Sequence, residues 1–389
     1  MVTMLQRAKA LAPRLSSLRR DIHKHPELSF QEYRTAELIA DALRELGVPF
    51  DTGVGKVGVV GYLGTAGPIV ALRADMDALP MQELNKVDYA SQIPNIMHAC
   101  GHDAHVACLL GAAMLLRDME FQGQVRLLFQ PSEEGMDAEG KSGAQRMIED
   151  GAMEGVEAIF GLHVESLHEL GTIHVSEGPV AASLDDFKLA VTGVATHAAS
   201  AYQGIDAILL TAQVVSALHT IISRRIPPAK LGAISIGTIH GGTRRNTLAD
   251  RVEMEGTVRC YEPQVRQTLL AEVKRASELA RTLGGDYELT FSGGYPAVVN
   301  DASLTALVQS VAVQLLGEDA VRAMEPDPGS EDFSYFLQKA PGCYFLLGVR
   351  TPGAPQCYLH SPYFDMDESA LPIGAAMLAQ TALAYLESR

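Results

Sequence analysis

Four short apolar runs, at residues 58–63, 69–74, 125–129 and 158–162, constrain the fold of this chain more than any other feature. Each is strand-length and apolar apart from Arg73 and Arg126, the pattern of strands buried on both faces of a parallel sheet. Segments 103–119 and 142–150 lie between some of them and carry helical spacing. The arrangement predicts an α/β fold, with a mostly parallel sheet flanked by helices. The residues just past the runs matter equally: Asp75 and Asp77 after the second, Glu133 and Glu134 after the third, His163 after the fourth. Ligands of open α/β sheets bind beyond the carboxyl ends of the strands, so these side chains are expected to converge there.

Helical spacing also marks residues 4–20 and 31–46, the second closing on Gly47 at the C-terminal cap. From about residue 185 the rhythm changes. Strand-like 187–191, helix-like 204–224, strand-like 233–239 and 251–259, helix-like 263–283 and strand-like 287–291 make a βαββαβ order, which predicts a ferredoxin-like α+β unit. Helix 302–316 and strand 343–348 then resume the first style. A chain of 389 residues exceeds what one core usually supports, so two domains are expected. They are a discontinuous one over 1–184 and 300–389, and an inserted one over 185–299.

Charge narrows the partners: 31 Lys and Arg against 47 Asp and Glu give a net charge of -16, which repels phosphate backbones and anionic lipid. Neither nucleic acid nor a membrane is an expected partner. The five cysteines, at 100, 108, 260, 343 and 357, form no C-x-x-C pair, and no signal-peptide pattern precedes the first helix. A cytoplasmic protein without disulfides is the expectation. The apolar stretch 371–386, interrupted by Gln380 and Thr381, reads as a buried helix too short to span a bilayer.

Residues 97–105, Met-His-Ala-Cys-Gly-His-Asp-Ala-His, hold three histidines, a cysteine and an aspartate. Such a density of soft and borderline donors points to metal. Cys100 and His102, two apart, point the same way from an extended loop and can share a site. Asp103 suits the N-cap of the following helix, and His105 fits either a ligand or a packed role. Glu133 and Glu134 come after Pro131, and as neighbours in extended chain they are expected to face opposite sides and to divide metal binding from proton transfer. His163 and His360 each come after an apolar run. The match of residues 53–58 to G-x-G-x-x-G is set aside, because a strand and not a helix succeeds it.

Arg73 through Pro80, His98 through Asp103, Ser132-Glu133-Glu134-Gly135, Gly161-Leu162-His163-Val164, Gly329 through Phe333 and Leu359-His360-Ser361 resemble, in order, the motifs of M20 metallopeptidases. The similarity is to the amidohydrolase branch, with its hippurate hydrolases, N-acyl-amino-acid amidohydrolases and auxin-conjugate hydrolases. The resemblance implies a catalytic domain with two divalent metal ions, zinc or manganese, with cobalt or nickel also admitted. It also implies an inserted lid through which the protein forms a homodimer. It makes Cys100, His102, Glu134, His163 and His360 the metal ligands and Glu133 the general base and acid. It makes His197 an oxyanion donor reaching a neighbouring subunit, and Asn246 and Arg259 the contacts to the substrate carboxylate.

The implied reaction is hydrolysis of a small N-acyl amino acid, with carboxypeptidase or dipeptidase activity as the alternative. A non-catalytic descendant would be expected to have lost Glu133 or a ligand, and none is replaced. The departures lie elsewhere: Ser200-Ala201-Tyr202 and Thr247-Leu248-Ala249 replace proline-containing segments, as does Glu165-Ser166-Leu167-His168. They bear on pocket shape and acyl preference.

Overall fold

The computed structural model describes residues 3–389, and the chain divides into two compact units. The first runs to Val180 and resumes over Val299–Glu325 and Asp332–Arg389; the second comprises Ala181–Val298 and Pro326–Glu331.

The first unit begins with α1 (Met4–Ala10), α2 (Ala12–Lys24) and α3 (Tyr33–Leu46). The helix expected over 4–20 is thus two, separated at Leu11, because Pro13 stands in the first turn of α2 and has no N–H to continue the ladder. Gly47 closes α3 in the left-handed conformation at φ 69°, as its position in the sequence implies. Next come β1 (Phe50–Val54), β2 (Gly58–Gly64), β3 (Ile69–Asp75), α4 (His102–Leu116), β4 (Gln124–Gln130), α5 (Gly143–Glu149), β5 (Val156–Glu169), β6 (Ile173–His174) and β7 (Gly178–Ala181). The G-x-G-x-x-G segment is the β1–β2 turn, with Lys56 at φ 82°, and opens no helix.

The second unit supplies β8 (Ser183–Thr192), α6 (Ala207–Arg225), β9 (Gly232–Gly241), β10 (Arg251–Cys260), α7 (Pro263–Ser277), α8 (Leu279–Thr282) and β11 (Asp286–Tyr295). Its sheet order, β11-β8-β10-β9, is antiparallel throughout and is that of a ferredoxin-like unit. Asp206 caps α6 by accepting from Ile208 N–H at 2.9 Å. Leu210, Val214, Leu218 and Ile221 of α6 join Phe187, Leu189 and Met254 of the sheet in a separate core.

The chain closes with β12 (Val298–Asn300), α9 (Ala302–Leu316), β13 (Val321–Arg322), α10 (Phe333–Leu337), β14 (Gly342–Arg350) and α11 (Leu371–Glu387). The first unit's sheet has eight strands in the order β1-β2-β4-β3-β5-β14-β6-β13. Its four central strands, β4, β3, β5 and β14, run parallel, and antiparallel β2 and β6 flank them.

Every side chain of α4 is buried, because the helix lies among the sheet, α2 and α11. A helix apolar on all faces is stable only in such a place. Each large aliphatic side chain it buries, Leu109 and Leu110 among them, contributes roughly 1.5–3 kcal/mol. The helical stretch Glu368–Glu387 reaches 20 residues, longer than expected and sufficient in length and composition to cross a membrane, but 78% of its apolar window is buried in this core. Helix α6, at 19 residues, passes the same length test.

Candidate metal centre

The parallel register decides what the strand ends bring together. Asp75 pairs with Gln130 and Arg73 with Gly161, so His163, two residues on, lies level with Asp75. His163 is therefore inside β5, which continues to Glu169, and not past its end as the apolar run suggested. Arg73 is fully buried and ion-pairs with Asp75 at 2.6 Å and Asp332 at 2.9 Å, while its Nε donates to Gln130 at 2.7 Å. Burial would push the Asp75 carboxyl up, but Arg73, His102 and His105 hold it well below the usual carboxylate range. The centre thus stands on a fixed anionic floor.

Cys100 and His102 do not come directly after a strand; Cys100 lies at the end of the irregular segment 76–101, and His102 is the first residue of α4. Gly101 between them has φ 86°, and a Cβ there would lie 2.3 Å from Val164 Cγ2. Only glycine permits both the turn and the approach to β5. Cys100 Sγ consequently sits 3.4 Å from His163 Nε2. The Nδ1–H of His163 donates to Val164 O at 2.7 Å, which leaves the Nε2 lone pair facing the thiol.

Asp77 is the organiser that sequence reasoning left without a role. Its Oδ1 accepts from His102 Nδ1–H at 3.2 Å, and its Oδ2 accepts from Ser29 Oγ–H at 2.7 Å and Glu134 N–H at 3.0 Å. A carboxylate behind an imidazole in this way aims the other ring nitrogen into the centre. Its signal was the Asp-Met-Asp at the end of β3; Ser29 carried none. His360, in a loop well beyond β14, is tied back by its N–H to Ala99 O at 2.8 Å, and its Nε2 lies 3.0 Å from Glu134 Oε1.

The donor atoms gather in overlapping groups: Cys100, His102 and His163; Cys100, Glu134 and His360; His102, Glu133 and Glu134. Within each group they lie within 4.8 Å of one another. Glu133 and Glu134 therefore both reach His102, contrary to the expectation that they face opposite sides. The chain turns there, with Ser132 at φ 48° held by Glu32 Oε1, which accepts Ser132 N–H at 2.7 Å. Asp103 is not the N-cap of α4, since Gly101 occupies that position. Its buried carboxylate instead lies 2.7 Å from both Arg19 Nε and His23 Nδ1.

Electrostatics fit a cation. Burial pushes the Cys100 thiol well above its ordinary value, and Glu134, Glu133 and Asp75 push it further. Burial lowers the His102 imidazole, yet Asp75, Asp77 and Glu134 raise it to about 10. A pocket that concentrates carboxylates and retains protons on sulfur and nitrogen is one where a divalent ion displaces those protons. The sulfur, nitrogen and oxygen donors suit zinc and its first-row neighbours.

The remaining expected residues lie in the second unit. His197 is exposed, and its Nδ1 accepts from Ala199 N–H at 3.1 Å. Asn246 is adjacent to it, its carbonyl accepting Ala198 N–H at 2.9 Å. Arg259 projects from β10 and donates to Pro328 O at 2.8 Å.

Residues 71–384 match the sequence profile of peptidase family M20/M25/M40. The chain belongs to that family. This M20 chain is accordingly a metal-dependent amidohydrolase. It is 38% identical to the N-acetylcysteine deacetylase of Bacillus subtilis, over 98% of this chain and 99% of the relative. It is 41% identical to thermostable carboxypeptidase 2 of Saccharolobus solfataricus, over 95% and 94%. A solved Bacillus subtilis structure described as a dinuclear metal-binding peptidase of the M20 family superposes with a TM-score of 0.85 at 36% identity, covering 98% of this chain and all of that one.

Proposed function

We propose that this M20 enzyme hydrolyses the amide bond of N-acyl amino acids, hippurate-like compounds among them, to a carboxylic acid and a free amino acid. The meeting of Glu133 and Glu134 at His102 carries the reading, because it gives one carboxylate to an ion and its neighbour to the proton. Cys100, His102, Glu134, His163 and His360 would hold two divalent ions, with zinc or manganese first and cobalt or nickel compatible with the same donors. When bound, such ions acidify water and polarise an amide carbonyl.

Glu133 takes the proton from the attacking water and delivers it to the departing nitrogen. His197 donates to the oxyanion. Support comes from its Nδ1, which accepts from Ala199 N–H, so that the neutral ring carries its proton on Nε2. We assign this histidine to the partner subunit's centre, across a homodimer formed by the inserted unit acting as a lid. Asn246 and Arg259 bind the substrate's free carboxylate, for which a guanidinium tethered through Nη1 is well suited. All five cysteines are free, in keeping with a cytoplasmic site of action.

The second reading is a carboxypeptidase or dipeptidase built on the same centre, favoured by the Saccharolobus relative. A panel of N-acetyl, N-benzoyl and dipeptide substrates separates the two, since only a peptidase requires a second amino acid on the acyl side. Glu133→Gln is expected to retain its metal and lose about 10²- to 10⁴-fold in kcat. A variant with near-normal kcat overturns the role of Glu133, and equal turnover of all dipeptides and no acylated amino acid overturns the reading of the substrate. Mixed dimers of His197→Ala with Glu133→Gln should regain part of the activity if His197 acts in trans.

A further inference from the structure

His105 forms with Asp75 and His102 a further group of donors at the centre, but its ring is already committed to hydrogen bonds. The ring is 1% exposed, and both nitrogens are engaged: Nδ1–H donates to Asp75 Oδ1 at 2.5 Å, and Nε2 accepts Val164 N–H at 2.9 Å. The second bond lies where the sheet changes character. The ladder between β3 and β5 ends at Arg73–Gly161, and β3 itself ends at Asp75, while β5 continues. Beyond that point imidazoles take the place of a strand: Val164 gives its N–H to His105 and its C=O to the Nδ1–H of His163.

The two peptide groups that meet at Val164 are thus each tied to an imidazole, so the main chain that His105 fixes at the Val164 N–H also positions the carbonyl that orients the His163 ring. The two imidazoles also pack edge to face, their centroids 4.5 Å apart, and Gly101 leaves room for Val164 to approach. On the other side, Asp75 cannot swing away, because Arg73 holds its second oxygen at 2.6 Å.

We propose that His105 is a positioning residue: a clamp between the Asp75 carboxylate and the Val164 amide that holds His163 with its Nε2 lone pair in the metal centre. The inference rests on His163 being a ligand. It predicts that the Val164 contact, made through Nε2, matters more to ion retention than the Asp75 contact. A glutamine places its carbonyl oxygen about where Nε2 stands and can still accept from Val164, whereas an asparagine reaches only as far as Nδ1 and serves only Asp75.

The test measures the rate at which zinc-loaded protein yields its metal to a chromophoric chelator, with circular dichroism and melting as folding controls. His105→Asn is expected to release zinc about 10- to 100-fold faster than the parent, the range typical for losing a group that orients a metal-binding histidine. His105→Gln should remain within about threefold of it, on the same scale. Equal release by the Asn and Gln variants overturns the clamp, whether both are fast or both slow. A His163→Ala control separates the two claims: normal zinc content in that variant overturns His163 as a ligand. Low content there, with parental release from His105→Asn, overturns the clamp alone.

Discussion

At the scale of single residues, the centre depends on carboxylates that never need to touch an ion. Asp77 links His102, Ser29 and the Glu134 amide, and burial, which would raise its carboxyl, is outweighed by its hydrogen bonds to His102 and Ser29. Asp77→Asn preserves size and removes charge, so it should weaken metal affinity by about 10- to 100-fold while leaving the fold intact, measured by competition with a chelator of known affinity. Parental affinity would contradict the organising role. Asp103 illustrates the limit of reading residues locally. Its position next to a helix start suggested capping, but it pairs instead with Arg19 and His23, which hold its carboxyl well below the usual range against the opposing effect of burial. That partnership spans some eighty residues of chain and has no sequence signature.

At the scale of elements, short apolar runs and helical spacing located the central strands and the long helices, because burial on both faces leaves a composition that needs no partner to be recognised, but not the strands β1, β6, β7, β12 and β13 or the short helix α10. Nor did they reveal element ends: β5 runs past His163, and α1 and α2 divide at Leu11. Gly101 is where element geometry and site meet. Gly101→Ala combines a left-handed backbone with a clash against Val164 on β5, and should cost more than about 1 kcal/mol and reduce metal content, read by thermal melting and metal analysis.

A second element-level test concerns His168 on β5 and His174 on β6, whose rings stack with centroids 3.5 Å apart. Burial, with His168 and Arg322 nearby, lowers His174 to about 4. Its folded value lies below its unfolded one, so the unfolded chain takes up protons first as pH falls. The stability this group contributes is complete above about 6.5 and is lost progressively as pH falls toward 4. The melting temperature of His174→Asn should therefore gain on the parent's between pH 7.5 and 5; a constant difference would refute it.

At the scale of the whole molecule, the two units carry separate cores, and all five expected ligands belong to the first. Anything that binds only the folded form stabilises it by mass action. Removing metal with a chelator should therefore lower the calorimetric transition of the first unit and leave that of the second in place; equal shifts of both would contradict separate cores. The net charge of -16 is a property of this scale as well, and opposes association with polyanions without bearing on the fold.

Alone, the sequence determined the α/β class, the ferredoxin-like insertion and the candidate donors, since apolar periodicity, motif order and residue chemistry are all written along one dimension. Tertiary structure decided the rest. The register of β3, β4 and β5 set His163 level with Asp75, and a left-handed Ser132 turned both glutamates toward His102. The tautomer of His105 was assigned by a strand that ends too early to pair with Val164. Which nitrogen faces an ion depends on what the other nitrogen bonds, and that partner is supplied by packing between segments the sequence keeps far apart.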